Sequence, residues 1–462
     1  MNAITNAAKE RMTFHKYSIW IVLAIFIAMI TAYAIVEKKW LYLGALFAPF
    51  LIYLCIKKPF IFLLGLYVLL LPLDSLLSVT GGPEGQQFIK ILGILTIIVL
   101  VLKGSFERKL KRPDHAVLYW VLFTMFGLVS IVWAIDPVIA QNRFSTAIGM
   151  LVLYLVVASY EIEKNEFNAM KTLIIAGGLL AAIATIYNYQ SGVFKVAQRA
   201  SLKFGEASVN PNLLGFSLLI PISVCAEMMF NQNKKIIKIF IAIVLALMLL
   251  AIILTGSRGS MLGVVAIFIV YFLSIKKKLS FVTIVIIVGI ILLPFIPDFF
   301  IERWETSIET GGSGRTSIWY AGLMVVKKYW LLGAGLNNFP LAFNEFADYA
   351  TATIYRFRDP HNTYMGILGE LGIIGFILAI FGVWRHYKII KRRCPKIYQN
   401  TQIMLKAAFW AVLVSSFFGS YLWKKSFWLL WMMIVMHRNI IEMEIDKNKA
   451  IIDSMTFVAG KK

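Results

Sequence analysis

The sequence predicts an all-α, polytopic membrane protein, and three observations carry that prediction. Of 462 residues, 60% are hydrophobic and only 15% charged, with a mean hydropathy of +0.77, far from the make-up of a soluble domain. The apolar residues gather in runs near the roughly 20 residues that a helix needs to cross the hydrocarbon layer. Lys and Arg gather in short clusters between those runs. The net charge of +22 therefore reads as the positive-inside bias of a membrane chain, and no nucleic-acid partner is expected.

Windows of about 19 residues mark spans at 18–36, 41–56, 59–73, 88–102, 116–134, 144–160 and 169–187. A second series lies at 211–230, 236–254, 259–274, 281–296, 363–384, 405–423 and 427–441. The expected architecture is about 12 to 14 transmembrane helices in a single integral membrane domain over 1–462, interrupted by one large loop at 297–360 that contains short amphipathic helices. Run 18–36 is long enough to span and has no small-x-small cleavage site after it, so it is expected as a retained first helix.

Orientation follows from the basic clusters. With Lys9, Arg11 and Lys16 on the cytoplasmic side, alternation brings 57–58, 103–112, 234–238, 276–278, 385–396 and the C-terminus to the same side. The connections at 80–87, 136–143, 190–210, 255–258 and 297–360 then face out. Lys38-Lys39 and Lys424-Lys425 are exceptions that snorkelling accommodates. Of the five histidines, His15, His115, His386 and His437 fall on or near the inner side, and His361 alone faces out. Cys55, Cys225 and Cys394 fall in the membrane or inside, so no disulfide is expected in the loop.

Four outward elements carry chemistry-bearing residues. The first is Asn210-Pro211-Asn212, with Asn210 placed to cap a helix and Pro211 at its first position. A plain helix start accounts for it equally well. Arg199 makes the segment before it basic, which is unusual for an outer loop, so Arg199 and Asn212 are candidate substrate contacts. The second is Thr255-Gly256-Ser257-Arg258-Gly259-Ser260, a turn in which Ser257 can cap the next helix. Arg258 then sits beside free N–H groups at a positive dipole end, a combination that favours phosphate or diphosphate. An arginine snorkelling to the interface is the plainer alternative.

The third element runs from Gly311 to Trp319. Ser313 is expected to cap an amphipathic helix with Ile318, Leu323 and Val326 on one side, which sets Arg315 at a second helix N-terminus. Two such arginines suggest a two-pronged clamp on one anionic group. Trp319 suits either stacking on a sugar ring or an interfacial aromatic belt. The fourth is Asp359-Pro360-His361-Asn362. His361 is expected in the first turn of the following helix, where a neutral imidazole can take a proton from an acceptor hydroxyl while Asp359 or Asn362 orients the ring. Glu370, deeper in that span, should face protein rather than lipid.

Together these pieces resemble the O-antigen ligase family, which also contains polysaccharide polymerases. The residues that carry the resemblance are Asn210-Pro211-Asn212, Ser257-Arg258-Gly259, Gly314-Arg315 through Trp319, Gly333-Ala334-Gly335 after Tyr329-Trp330, and His361-Asn362 spaced from Gly372 and Gly375. They cover mainly the stretch from Arg199 to Trp384. The resemblance implies a metal-independent, inverting membrane glycosyltransferase at the periplasmic face of a bacterial cytoplasmic membrane, with both termini cytoplasmic. It implies a glycan on undecaprenyl diphosphate as donor, and a lipid A-core sugar (ligase) or another lipid-linked unit (polymerase) as acceptor. It assigns diphosphate binding to Arg258 and Arg315 and acceptor activation to His361.

No cofactor and no metal are expected. The sequence has no nucleotide-binding glycine loop, no His-Glu-x-x-His and no Asp-x-Asp in the outer loop. A lipid-linked glycan flippase is the rival of another class. Transporters usually carry a repeat between halves and functional groups near the midplane, whereas here no repeat is visible and the candidates gather at one face.

Overall fold

The computed structural model describes Val22 and residues 41–74, 84–192, 195–196, 198–204, 207–276, 278–309, 315–350 and 356–459. The expected first span at 18–36, Val22 apart, and the glycine-rich 311–314 with Ser313 lie outside the described residues. The described chain is helical nearly throughout. Its helices are α1 (Leu41–Lys57), α2 (Pro59–Phe62), α3 (Leu64–Leu70), α4 (Glu84–Phe106), α5 (Ala116–Val129), α6 (Pro137–Ser159) and α7 (Lys164–Gln190). Two small antiparallel hairpins follow, β1 (Lys195–Val196) with β2 (Arg199–Ala200) and β3 (Lys203–Phe204) with β4 (Ala207–Ser208). Then come α8 (Pro211–Ser217), α9 (Leu219–Asn231), α10 (Lys235–Thr255), α11 (Arg258–Ser274) and α12 (Lys278–Leu292). The large loop holds α13 (Asp298–Glu309), α14 (Arg315–Lys328) and α15 (Phe339–Asn344), and α16 (Thr363–Lys391), α17 (Gln399–Ser416) and α18 (Lys425–Ala459) complete the bundle.

Among the described residues, six helices are individually long and apolar enough to cross a membrane, and up to eight if each of two bent pairs is one span. One bent pair joins Pro49–Lys57 to Pro59–Leu73 at 113°, so the expected runs 41–56 and 59–73 are two arms of one bend. Proline has no N–H to continue the ladder, and Pro59 begins the second arm. The other pair joins Val285–Phe295 to Asp298–Glu305 at 104°. Ala116–Val132 and Arg258–Ser274 are shorter apolar helices.

Packing runs along the long helices: α11 lies against α17, α5 against α16, and α3 and α10 against α7. A buried aromatic cluster of Trp120, Phe123, Trp428 and Trp431 ties α5 to α18. The large loop has a small core of its own, in which Ile318, Ala321 and Val325 of α14 meet Ala334, Phe339, Ala342 and Phe343. The buried face of α14 thus follows the i, i+3, i+7 spacing of an α-helix. This corrects the expected face. Leu323 is 55% exposed, because five residues on from Ile318 is nearly half a turn out of phase.

The loop is fastened to α16 by a break in that helix. Gly372 has φ +61°, and a Cβ there would lie 2.2 Å from the carbonyl oxygen of Leu331. The break frees backbone groups that loop residues take up: Ala334 N–H donates to Gly369 O at 2.8 Å, Gly335 N–H to Glu370 O at 2.9 Å, and Ile373 N–H to Trp330 O at 2.8 Å. The Gly333-Ala334-Gly335 turn is therefore a docking surface for the broken helix. Glu370 is likewise held by protein, its Oε2 accepting from Asn337 N–H at 2.9 Å.

Candidate active site

Local capping chemistry sets the frame of the site. Asn210 caps α8, accepting from Asn212 N–H at 2.9 Å, with Pro211 as the first helical residue. Ser257 caps α11, accepting from Ser260 N–H at 3.4 Å, so Arg258 is the first residue of that helix. Gly256 ends α10 in the left-handed region at φ +56° and lets the chain reverse in two residues. Arg315 is the first described residue of α14.

The arginines converge. Arg199 donates through Nε to Thr255 O at 2.7 Å and through a terminal nitrogen to Asn212 Oδ1 at 2.6 Å, which joins the hairpin, the 255–258 turn and α8. Its pKa is brought down to about 10, by burial first and then by the charges of Arg303, Arg315 and Arg258, with Tyr421 acting the other way. Arg315 is held below its usual value by burial and then by Arg303. Arg303, from α13, lies along the same turn: a Cβ on Gly256 would stand 3.5 Å from Arg303 Nε. That Nε is buried and has no hydrogen-bond partner among the described residues. Phe418 bridges two sides of the group. A Cβ on Gly259 would lie 2.6 Å from Phe418 Cβ, and the Phe418 ring faces the Arg315 guanidinium at 5.9 Å.

Among the described residues, none of Arg199, Arg303 and Arg315 makes an ion pair. Partly buried like charges repel, and an anion in their midst would turn that repulsion into attraction. Tyr421 braces the floor, buried and stacked on Phe216 at 3.8 Å, with its hydroxyl donating to Asn212 O at 3.3 Å.

His361 stands beside this group. It precedes the helix and does not lie in its first turn: α16 begins at Thr363, Asn362 is the cap, and His361 has φ +48°. A left-handed non-glycine residue costs on the order of 1–3 kcal/mol, and its surroundings must hold it there. Two contacts do so. Asn362 Oδ1 accepts from Tyr364 N–H at 2.9 Å and Met365 N–H at 3.1 Å. Trp319 Nε1 donates to Pro360 O at 3.1 Å. Burial is the main cause holding the imidazole pKa below 6.5, followed by Arg315, while Asp359 pulls it up and Arg358 pushes it down. The ring is therefore neutral at pH 7, the form that accepts a proton.

The structure thus gathers Arg199, Asn212, Arg258, Arg315, Trp319, Asn362 and His361 at one end of the bundle. Asp359 is exposed at the margin. The oxygen of Asn362 is committed to the helix cap, and Trp319 is tied to the irregular segment before His361. Arg303 and Tyr421 belong to the site and escaped sequence reasoning. The signal for Arg303 was a basic residue on the outer side of an amphipathic stretch; Tyr421 follows Gly419-Ser420 inside the apolar run 405–423, where no local signal marks it. Among the described residues, no three His, Cys, Asp or Glu side chains cluster as a metal site.

Residues 243–380 match the family model described as O-antigen ligase, a stretch that includes Arg258, Arg303, Arg315 and His361. The chain is 22% identical over 340 residues to the O-antigen ligase of Pseudomonas aeruginosa, covering 71% of this chain and 80% of that one. It is 25% identical over 351 residues to an uncharacterized protein of Haemophilus influenzae, covering 70% and 84%. The resemblance read from the sequence is borne out.

Proposed function

We propose, from the O-antigen ligase domain at residues 243–380, that this protein moves a polysaccharide from undecaprenyl diphosphate onto a lipid A-core sugar. The reaction takes place at the periplasmic face of the bacterial cytoplasmic membrane, with both termini cytoplasmic. The observation that carries this reading is the convergence of four guanidinium groups beside one neutral imidazole at a single end of the bundle.

Each group has a role that its surroundings favour. Arg258 and Arg315, with Arg199 and Arg303 behind them, hold the donor diphosphate. His361 takes the proton of the acceptor hydroxyl at a ring nitrogen as that oxygen attacks the anomeric carbon. The bond from that carbon to the phosphate oxygen breaks, and undecaprenyl diphosphate leaves with the electron pair. Attack opposite the leaving group inverts the anomeric centre. The charge that grows on the leaving diphosphate is met by fixed cations that need no reorganisation, a source of catalysis that requires neither ATP nor metal. Asn212 positions Arg199, Asn362 and Trp319 position His361, and Asp359 raises its basicity against the effect of burial.

The test is a cell-free assay with the purified protein, a lipid-linked glycan and lipid A-core. Glycan joined to core supports the ligase. A ladder of longer lipid-linked glycans formed without core would identify a polymerase. Neither product, with donor translocated across a vesicle membrane instead, would identify a flippase and sink the transferase reading.

A further inference from the structure

A second basic feature lies apart from the four arginines. A cavity of about 560 Å³ is lined by Asp74, Lys90, Arg143, Asn337, Lys424 and Lys425 among others. Four of these side chains are cationic and one is anionic. Among the described residues its one ion pair joins Lys425 Nζ to both Asp74 oxygens at 2.7 Å. Among the described residues Lys90, Arg143 and Lys424 make no ion pair; Glu370 acts on Arg143, and Asp74 and Asp359 on Lys424, only at longer range. The lining thus keeps an excess of positive charge, which suits an anion.

The cavity adjoins the reaction site and differs from the diphosphate clamp, since no clamp arginine lines it. Asn337 lines it and donates to Glu370, in the helix that His361 precedes. Leu213, also in its wall, follows the Asn212 that anchors Arg199. Lys424 N–H donates to the carbonyl of Tyr421, in the floor of the site, at 2.9 Å. Asp359 acts on both sides, its charge favouring the protonated forms of Lys424 and of His361. The clamp already supplies cations for the donor's diphosphate, so the cavity serves the other substrate.

We propose that this cavity binds an anionic substituent, phosphate or carboxylate, of the acceptor glycan and so selects acidic acceptors. The proposal rests on the transferase reading for the identity of the occupant. Arg143 offers a bidentate fork, and Lys90 and Lys424 add point charges.

The experiment measures binding without donor. The protein in neutral phosphatidylcholine nanodiscs is titrated with core oligosaccharide released from lipopolysaccharide in three forms: intact, dephosphorylated with hydrofluoric acid, or with carboxyl groups reduced. The wild type is expected to bind the intact form at least about tenfold tighter, or about 1.4 kcal/mol, than one of the treated forms, and that form identifies the anion. Arg143→Gln/Lys424→Gln is expected to bind all three forms equally weakly and to lose the salt dependence of the wild type. Unchanged affinity of this variant for the intact form, or no preference in the wild type, overturns the proposal. His361→Ala, which leaves the cavity in place, must keep the preference. Should the wild type show the preference yet transfer no glycan, the transferase reading fails while the anion site stands.

Discussion

Replacing Arg315 with alanine should change two quantities that a merely structural arginine would not couple. The first is rate. Arg315 is a partly buried cation that in the proposed reaction faces the leaving diphosphate, and loss of one such preorganised group costs about 3–4 kcal/mol, a fall of roughly 10²–10³ in kcat. The second is pH dependence. Transfer needs neutral His361, so kcat/KM rises with pH through the pKa of the free enzyme's imidazole, which lies below 6.5. Burial is the larger cause of that depression and Arg315 the next. Removing the guanidinium takes away one cause and leaves the other, so the acid limb should move up toward 6.5 without passing it. Arg315→Lys keeps the charge and loses the fork. It should lose part of the rate with the limb unmoved. Arg315→Ala should fold normally, since it relieves repulsion with Arg303 and Arg199. The assay is transfer of lipid-linked glycan to core from pH 5 to 8 with each variant in nanodiscs. A rate within twofold of wild type, or an acid limb that moves down, would refute this role for Arg315.

Three further outcomes follow from the same geometry. Gly372→Ala places a Cβ 2.2 Å from Leu331 O at a residue with φ +61°; it should undock the loop from α16 and cost at least about 2–3 kcal/mol, read as a lower melting temperature with loss of transfer. Asn362→Ala removes the cap of α16 and should cost about 1 kcal/mol in thermal unfolding and lower kcat more than it raises KM, with Asn362→Asp restoring both. Transfer should continue in excess EDTA, and a loss reversed by added divalent cation would contradict the metal-free mechanism.

The parts of the site that were legible in the sequence are those set by local rules. Asn210-Pro211 and Ser257 follow from capping and backbone chemistry within a few residues, and the alternation of basic clusters placed Arg258, Arg315 and His361 together on one expected side. What stayed hidden depends on distant contacts. Arg303 reads as a solvated residue of an amphipathic helix until the Gly256 turn is seen against it. The left-handed conformation of His361 is imposed from Trp319, some 40 residues away in sequence. The break at Gly372 exists because loop residues 330–335 supply its hydrogen bonds, and no periodicity within α16 announces that. Apolar runs 41–56 and 59–73 looked like separate spans because hydropathy has no direction, whereas the chain bends by 113° between them. Lys424-Lys425, read as snorkelling exceptions, line a polar cavity with Asp74.

The most direct measurement is glycan transfer by His361→Ala with donor affinity measured on the same preparation. With the clamp intact and the base removed, undecaprenyl-diphosphate glycan should bind within about twofold of wild type while transfer falls by roughly 10²–10⁴. Transfer by this variant at more than a tenth of the wild-type rate would contradict the assignment of His361 as the group that activates the acceptor.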